Sequence, residues 1–576
     1  MMSTGTHAMA DRAQGAAPPH PWLRHYPPAV KWDQEFSAEP LYALLDAAVA
    51  KHGAKPCTDF LGKVSTYGDI GAQVERAAVG LHRLGVGKGT RVGLFLPNTP
   101  TFVVYYFAIL KAGGTVVNYN PLYTVEELTY QVRDSNTELM ITLDLRLLFE
   151  KVEQLLQGGA LKRAVVASFA GLLPPAKGVL FRLFKSRDLA NLARSPVADK
   201  VVKEAELLAG GGRLTPPAID PYEDIAVLQY TGGTTGTPKG AMLTHANTYI
   251  NVQQVIAWAP ELEEGKERIF GVLPFFHVFA MTVVMNFCVA RAAMMILMPR
   301  FVLDDAMKLL DRSKPTCMPG VPTLFNAIMN HPKLSSYDLT SLKFCISGGA
   351  PLPLEVKQRF ERLTGCKLVE GYGLSEASPV VTCNPLEGPV KDRSIGLPLP
   401  ATVVSLRAID DPTREVPLGE KGEICVRGPQ VMKGYWGKPE ETAGQFVGEY
   451  LRTGDVARMD EDGFLFIEDR IKDLIICSGY NVYPRRIEEA IYTHPAVAEV
   501  TVIGIKDQHR GEAPKAFIKL KEGAKASAQD ILRHLEPKLS RIEMPAEIEF
   551  RDALPKTMIG KLSKKELKAE EAKRGR

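Results

Sequence analysis

Short, dense runs of apolar residues alternate with longer helical patterns through much of the chain. A first series of runs comprises residues 92–96, 115–118, 139–143 and 164–169. A second series, after a break rich in glycine and proline, comprises residues 226–230, 294–298, 344–347 and 368–370. Such alternation is typical of parallel strands that are buried on both faces and joined by crossover helices. The sequence therefore predicts an α/β protein with two sheet units in one large N-terminal part.

The pattern changes twice towards the C-terminus. From about residue 403 it becomes richer in β-forming residues and glycine, which suits a small β-barrel. After Asp469 a helical pattern at 484–492 is followed by strand patterns at 497–505 and 516–520, as expected for a separate C-terminal domain. We predict a flexible tail over residues 1–30, a large part over 31–471 and a C-terminal domain over 472–576.

Composition and charge exclude several classes of protein. The chain has 576 residues, of which 45% are hydrophobic and 24% charged, so a mainly disordered chain is excluded. The net charge of +4 is carried by residues 561–576, and a dedicated nucleic-acid binder is therefore not expected. The eight cysteines form no CxxC pair and the N-terminus has no apolar signal segment, which favours reduced thiols and a cytoplasmic location.

Two segments raise the question of membrane contact. Residues 272–298 are long and apolar enough to span a bilayer, but Pro274, Asn286 and Arg291 interrupt them, so we expect them to be buried in the protein. Residues 177–194 combine five basic residues with an apolar set. They could lie on an anionic membrane surface, at the inner face of the membrane. We favour the alternative of an amphipathic helix that packs on its own domain.

The densest motif is YTGGTTGTPKG at residues 230–240, directly after an apolar run. Glycines leave backbone N–H groups unobstructed, threonine hydroxyls add donors and Lys239 adds a cation, as a phosphate cradle requires. The spacing differs from the P-loop because Gly240, not Ser or Thr, follows Lys239. A flexible hairpin without a ligand is the alternative. The candidate binding residues of this loop are Thr231, Gly232, Thr234, Thr235, Gly236 and Lys239.

Three further motifs follow in order, and together with this loop they resemble a known family. They are GYGLSEASP at 371–379, LRTGDVARMDEDGFLFIEDRIKD at 451–473 and PKTMIGKL at 555–562. The set is similar to the adenylate-forming acyl-CoA synthetases over about residues 38–567. Within that superfamily, GYGLSEASP and LPFFHVFA at 273–280 look most like the bacterial long-chain fatty acid CoA ligases.

The resemblance implies a fold and a reaction. The fold would be that of adenylate-forming enzymes: an AMP-binding and acyl-binding N-terminal part of two α/β sheet units plus a small β-barrel, and a small, mobile α+β C-terminal domain. The reaction would join a medium-to-long fatty acid to CoA with ATP and Mg²⁺, releasing AMP and pyrophosphate through an acyl-AMP. The chemistry is consistent, because a carboxylate would have to expel oxide, and activation by AMP supplies a better leaving group.

The same resemblance implies roles for residues around the nucleotide. Glu376, with Thr235, would be a Mg²⁺ ligand, and Tyr372 would stack on adenine. His277 would lie beside the acyl carboxylate, although a lone histidine on an apolar face is more often a core residue. Gly373 would flank Tyr372 and leave its ring open, and the wall opposite the adenine would be formed by the small residues Gly348, Gly349 and Ala350.

The resemblance also implies a rotation of the C-terminal domain. Asp455 would accept hydrogen bonds from the ribose hydroxyls, with Arg470 as its companion. Lys472 or its neighbour would be the hinge. In one pose Lys561 would neutralise the carboxylate and the α-phosphate, and in the other Gly479 would leave room for the pantetheine arm of CoA.

The acyl group itself is less constrained. We expect its tail along residues 278–298 and 321–324, because a tunnel for an alkyl chain needs apolar walls. A dicarboxylic acid paired with Arg291 or Arg300 is an alternative, as is an acyl-AMP ligase that serves a carrier protein. A non-catalytic acyl-binding or uptake component is disfavoured, because the charged residues Lys239, Glu376 and Lys561 are all present.

Overall fold

The computed structural model describes residues 20–231, 237–478, 480–507, 509–557 and 561–574. In its first third, helices and strands alternate as the apolar runs predict. The helices are α1 (Ala43–His52), α2 (Tyr67–Arg83), α3 (Pro100–Lys111), α4 (Val125–Ser135), α5 (Arg146–Gln157), α6 (Pro175–Phe184), α7 (Glu204–Leu208) and α8 (His245–Trp258). The strands are β1 (Pro56–Phe60), β2 (Lys63–Thr66), β3 (Arg91–Leu94), β4 (Thr115–Asn118), β5 (Leu139–Leu143), β6 (Arg163–Ala167), β7 (Val201–Lys203), β8 (Ile225–Thr231) and β9 (Lys239–Thr244).

The middle third continues the alternation. Its helices are α9 (Val278–Ala280), which runs through a π-helical stretch (Met281–Asn286) into α10 (Phe287–Ala290), then α11 (Leu303–Ser313), α12 (Pro322–Met329) and α13 (Leu354–Thr364). Its strands are β10 (Arg268–Gly271), β11 (Met294–Leu297), β12 (Cys317–Gly320), β13 (Phe344–Ser347), β14 (Lys367–Gly373), β15 (Val380–Cys383) and β16 (Leu397–Pro398). Residues 278–298 are largely buried, as expected, and no described helix is long and apolar enough to cross a membrane.

These strands form two large sheets. The seven-stranded sheet has the order β7-β6-β5-β3-β4-β8-β9, and the nine-stranded sheet has the order β16-β15-β14-β13-β12-β10-β11-β1-β2. Their central strands are parallel, and antiparallel pairs occur at the margins. The two predicted α/β sheet units are therefore confirmed.

The last third has two smaller sheets. The region expected to form a small barrel is an antiparallel five-stranded sheet of β17 (Val403–Arg407), β18 (Lys421–Arg427), β19 (Phe446–Val447), β20 (Tyr450–Met459) and β21 (Leu465–Arg470), with helix α14 (Pro439–Gln445). The second sheet contains β22 (Ile475–Cys477), β23 (Tyr480–Val482), β24 (Val497–Asp507), β25 (Gly511–Leu520) and β26 (Glu547–Phe550). It is accompanied by α15 (Pro484–Tyr492), α16 (Ala528–Leu535) and α17 (Lys564–Lys573).

Hydrophobic packing separates the C-terminal residues from the rest. One continuous core takes in buried side chains from Trp22 to Leu465, and separate cores begin at Ile475 and Ile503. A short 3₁₀ turn, Ile471–Asp473, connects the two regions. All eight cysteines are free and buried, in line with the expectation of reduced core thiols.

The N-terminal segment from residue 20 is packed on the protein. Trp22 is buried, and the Tyr26 hydroxyl donates a hydrogen bond to the Pro398 carbonyl (2.7 Å). The Tyr26 ring also meets the Trp258 ring edge-on, with centroids 5.1 Å apart. The part of the predicted tail from residue 20 to residue 30 is therefore docked, because Tyr26 packs against β16 of the nine-stranded sheet and against α8.

Candidate active site

A cavity of about 790 Å³ lies where the two large sheets, the sheet of β17–β21 and the C-terminal domain meet. Strands β13 and β14 are parallel neighbours, with Ser347 opposite Glu370, so the residues that follow each strand come together at one sheet edge. Gly348 and Gly349 extend from β13, while Tyr372 ends β14, and all three line the cavity. The carboxyl edge of parallel strands is the usual position of ligand sites in α/β folds.

One side of the cavity holds a linked set of polar side chains. The Tyr372 hydroxyl donates to one oxygen of Asp455 (2.7 Å), and Arg470 Nε donates to the other (3.0 Å). β20 and β21 pair Asp455 directly with Arg470, so the antiparallel register creates this contact. Burial raises the pKa of Tyr372 well above its usual value, and the hydroxyl therefore stays protonated. The Asp455 carboxylate is held in a fixed orientation by two donors.

Glu376 and Lys239 both contact the side chain of Tyr435. The Tyr435 hydroxyl donates to Glu376 Oε1 (2.8 Å), and the Lys239 ammonium lies over the Tyr435 ring, 5.1 Å from its centroid. Lys239 also forms an ion pair with Glu441. Burial raises the pKa of Glu376, and the Tyr435 hydrogen bond opposes this shift. Tyr435, which the sequence analysis did not identify, therefore joins the two charged residues predicted to face the polyphosphate.

Lys561 reaches the same cavity from the C-terminal domain. A Cβ placed on Gly349 would lie 2.7 Å from Lys561 Cε and 3.1 Å from its Nζ, so the lysine passes directly over this glycine. Gly349 also has a φ of +77°, a backbone conformation that favours glycine. Burial and the nearby Arg470 charge lower the pKa of Lys561 to about 8, while Asp455 opposes the shift.

His277 lies next to Lys561. Burial, with a contribution from the Lys561 charge, lowers the pKa of His277 to about 3, so the ring is neutral near pH 7. Its Nδ1 accepts a hydrogen bond from the Phe279 amide (3.3 Å). A neutral ring that accepts at Nδ1 carries its proton on Nε2, where it can donate to an acceptor such as a carboxylate.

The remaining predicted residues divide into three groups. Thr231, Gly373 and Lys472 line the cavity. Ala350 follows Gly349 but is not among the lining residues, so its backbone neighbours, rather than its own side chain, face the cavity. Another group lies outside the described residues: Gly232, Thr234, Thr235, Gly236 and Gly479.

The other end of the cavity is apolar, and its walls differ in part from the expected ones. Val278, Phe279 and Val283 line it as expected, but the other residues of 278–298 and all of 321–324 do not. Further wall residues come from α8 and from the β15–β16 region: Val255, Trp258, Ala259, Val380, Cys383, Leu386 and Leu399. Neither Arg291 nor Arg300 lines the cavity, so the expected pairing of a second carboxylate has no support in this arrangement.

Helix α8 brings these apolar residues to the site because it starts immediately after β9. Thr244 Oγ1 accepts from the Asn247 amide (3.1 Å), and the Asn247 side chain accepts from the Thr244 amide (3.0 Å). This reciprocal cap fixes the start of α8 next to the strand that begins with Lys239. Lys239 and the part of the apolar wall that α8 supplies therefore belong to one strand–helix unit.

Comparison with known proteins agrees with this geometry. Residues 45–436 match the family described as AMP-binding enzyme, and residues 486–561 match the AMP-binding enzyme C-terminal domain. The chain belongs to the AMP-binding enzyme family. It is 44% identical to a long-chain-fatty-acid–CoA ligase of Bacillus subtilis (strain 168), over 96% of this chain and 98% of the relative. It is 38% identical to a long-chain-fatty-acid–CoA ligase of Yersinia pestis, with the same two coverages.

A solved structure has the same fold. ATP-bound MatB from Rhodopseudomonas palustris superposes with a TM-score of 0.79 at 28% identity, covering 93% of this chain and 99% of that one. The adenylate-forming fold, with a large N-terminal part and a small C-terminal domain, is therefore confirmed.

The family implies a magnesium ion, and the donors present suit one that is bound together with a nucleotide. The described residues contain no group of three or more His, Cys, Asp or Glu that could hold a metal by itself. Mg²⁺ is usually held by one or two carboxylates together with substrate phosphates and water. The half-buried Glu376 carboxylate, which lines the cavity near Lys239, supplies one such ligand.

Proposed function

We propose that this enzyme is an ATP-dependent fatty acid CoA ligase. It converts a medium-to-long fatty acid, ATP and CoA into acyl-CoA, AMP and pyrophosphate by way of an acyl-AMP. The main support is that one cavity is lined both by the charged residues Lys561, Asp455 and Glu376 and by an apolar part that includes Trp258. The family membership and the 44% identity to a long-chain-fatty-acid–CoA ligase support the same conclusion.

For the first step, we assign the nucleotide contacts to the charged end of the cavity. Tyr372, flanked by Gly373, stacks on the adenine, with Gly348, Gly349 and Ala350 as the facing wall. The Asp455 carboxylate accepts from the ribose hydroxyls and is oriented for this by Arg470 (3.0 Å). Lys239, which is paired with Glu441 in this structure, binds the phosphates when ATP is present. The loop residues bind the phosphates together with it: Thr231, Gly232, Thr234, Thr235 and Gly236.

Two groups then act on the reacting carboxylate. Lys561 neutralises charge where the carboxylate meets the α-phosphate, since its ammonium is the charged group that extends over Gly349. His277 donates its Nε2 proton to the carboxylate and orients it. Glu376, with Thr235, would hold Mg²⁺, which when bound neutralises charge on the polyphosphate.

We further propose that the C-terminal domain, residues 472–576, rotates at Lys472 between the two steps. The separate hydrophobic cores on either side of the Ile471–Asp473 turn support this boundary. In the present arrangement Lys561 is in the cavity, as adenylation requires. Rotation would bring the loop containing Gly479 to the site for CoA. We also propose a cytoplasmic location, because eight free buried thiols suit a reducing compartment.

The test is pyrophosphate release over straight-chain acids of increasing length, with and without CoA. Each buried methylene should add about 0.8 kcal/mol to binding until the apolar end at Trp258 is filled. We expect acids of about twelve carbons to exceed acetate, benzoate and dicarboxylates in kcat/KM, and acyl-CoA to form only with CoA present. Equal efficiency with acetate would refute the fatty acid assignment. Acyl transfer to a carrier protein but not to CoA would identify an acyl-AMP ligase instead.

A further inference from the structure

Helix α6 exposes an apolar surface that no described part of the protein covers. Its side chains Val179, Leu180, Leu183 and Phe184 are 58%, 52%, 68% and 79% exposed. This differs from the expectation that the apolar side of residues 177–194 packs on its own domain. A narrow strip of the helix faces inward: Gly178 is buried, and the Phe181 ring is tilted against the Phe169 ring with centroids 5.1 Å apart.

Basic residues surround this surface. Lys177, Arg182, Lys185 and Arg187 are all exposed, and Asp188, 4.0 Å from Lys185, is the acidic residue of the same segment. The adjacent β1–β2 hairpin adds to both properties. Its Lys63 ammonium donates to the Gly171 carbonyl (2.7 Å), and the neighbouring Val64 is 52% exposed. We call residues 177–187 together with 63–64 the α6 patch.

The hairpin and the body of the protein hold α6 in place. Lys177 donates to the Leu61 carbonyl (3.0 Å), and a Cβ on Gly178 would lie 2.5 Å from the Ala170 carbonyl oxygen. The helix therefore approaches the backbone beneath it as closely as a glycine allows. The exposed side chains are presented outward from a fixed support, and folding them inward would require α6 to leave this position.

We propose that the α6 patch docks on the surface of an anionic lipid bilayer. An exposed apolar helix face within a basic surround is the combination that binds at the interface of such membranes, since the apolar side chains enter the acyl boundary and the cations meet lipid phosphates. A second copy of the chain is a poorer occupant. Twofold pairing through a two-turn helix would bring the four basic residues against themselves, and the helix is short compared with the roughly 800 Å² per partner of a stable interface.

Docking goes beyond the proposed function and is measured without turnover. The full-length protein is sedimented with vesicles of phosphatidylcholine alone and with vesicles containing about one third phosphatidylglycerol. We expect binding to the anionic vesicles and its loss at high salt. The double variant Leu183→Glu, Phe184→Glu should abolish binding, and Lys185→Ala, Arg187→Ala should weaken it by about fivefold for each charge removed.

A matched control separates the patch from general surface effects. Leu418 is 53% exposed in a different sheet region, so Leu418→Glu should bind vesicles like the parent. Thermal unfolding and turnover of octanoate in solution should be unchanged in all variants, since α6 does not line the cavity. Equal binding by the Leu183→Glu, Phe184→Glu variant, or equal binding to neutral vesicles, would overturn the proposal. A parent dimer that this variant converts to monomer, without any vesicle binding, would assign the patch to a second copy and overturn it too.

Discussion

The charge on Lys561 should control the adenylation step and no other. The ammonium lies over Gly349 inside the cavity, where removal of one preorganised donor typically costs about 10² to 10³ in rate, or about 3 to 4 kcal/mol. Lys561→Ala should therefore slow acyl-AMP formation by that factor. In the proposed mechanism the thioester step uses a rotated domain with Lys561 withdrawn, so the same variant should convert pre-made acyl-AMP and CoA to acyl-CoA at close to the parent rate.

The pKa of Lys561 gives this prediction a second readout. A pKa lowered to about 8 by burial and by Arg470 leaves about nine tenths of the lysine charged at pH 7 and about one tenth at pH 9. Adenylation should thus fall about tenfold as the pH rises through 8. Lys561→Arg stays charged over the whole range, so its residual adenylation rate should not show this fall.

The assay measures the two half-reactions separately. Acyl-AMP formation is followed by single-turnover quench from pH 6 to 9, and acyl-CoA formation is followed from pre-made acyl-AMP at the same pH values. If the two steps of Lys561→Ala lost the same factor, the lysine would be supporting domain docking rather than chemistry. A parent adenylation rate that stays flat between pH 7 and 9 would contradict the assigned charge state.

Three further changes test other parts of the molecule. Glu376→Gln should raise the Mg²⁺ concentration needed for half-maximal turnover by at least about tenfold, because a neutral amide is a weaker ligand for a hard cation. Tyr435→Phe should raise this concentration less. A magnesium titration that Glu376→Gln leaves unchanged would remove this residue from the metal site. Trp258→Ala should move the preferred acid to a longer chain in a kcat/KM series, because it enlarges the apolar end, and an unchanged length profile would place the acyl tail elsewhere. Lys515→Ala should destabilise the C-terminal domain by about 3 to 5 kcal/mol in denaturant unfolding, because it removes the buried cation beside the buried Glu571 carboxylate (3.0 Å) and leaves that carboxylate paired with the exposed Arg574 (2.9 Å); a loss below about 1 kcal/mol would contradict this assignment.

The positions of the central strands in the sequence could be predicted, because these strands are buried on both faces and are therefore apolar. Residues 139–143 are apolar except for Thr142, and all five are buried in β5. The edges of the sheets were harder to predict. Strand β2 is only partly buried and carries no such run, so its pairing with β1 depends on a hairpin and not on hydrophobicity.

Within the site, linear motifs located charged residues but not the side chains that position them. Asp455 and Arg470 were expected to be companions, and the antiparallel register does bring them within 3.0 Å. Tyr435 lies 59 positions from Glu376 in sequence, and no local pattern indicates their hydrogen bond. Trp258 was missed because helical periodicity identifies a buried face but not whether that face borders a cavity.

The exposed apolar face of α6 is a further feature that the sequence pattern could not predict. Periodicity identified an amphipathic segment at 177–194 but could not tell which surface its apolar side contacts. That depends on how Gly178 and Phe181 fit against the backbone beneath them, which is a property of the tertiary structure.

The docked N-terminal segment affects how this enzyme should be shortened or recombined. The family match begins at residue 45, and a boundary drawn there would discard Tyr26, whose ring supports Trp258 from behind and whose hydroxyl is tied to Pro398. A hybrid could take its acyl pocket from this chain but its first forty residues from a relative. Its Trp258 would then lack the contact with this chain's Tyr26. If Trp258 binds the acyl tail as proposed, we expect exchanges of specificity between relatives to succeed only when residues 20–44 are carried along with the pocket.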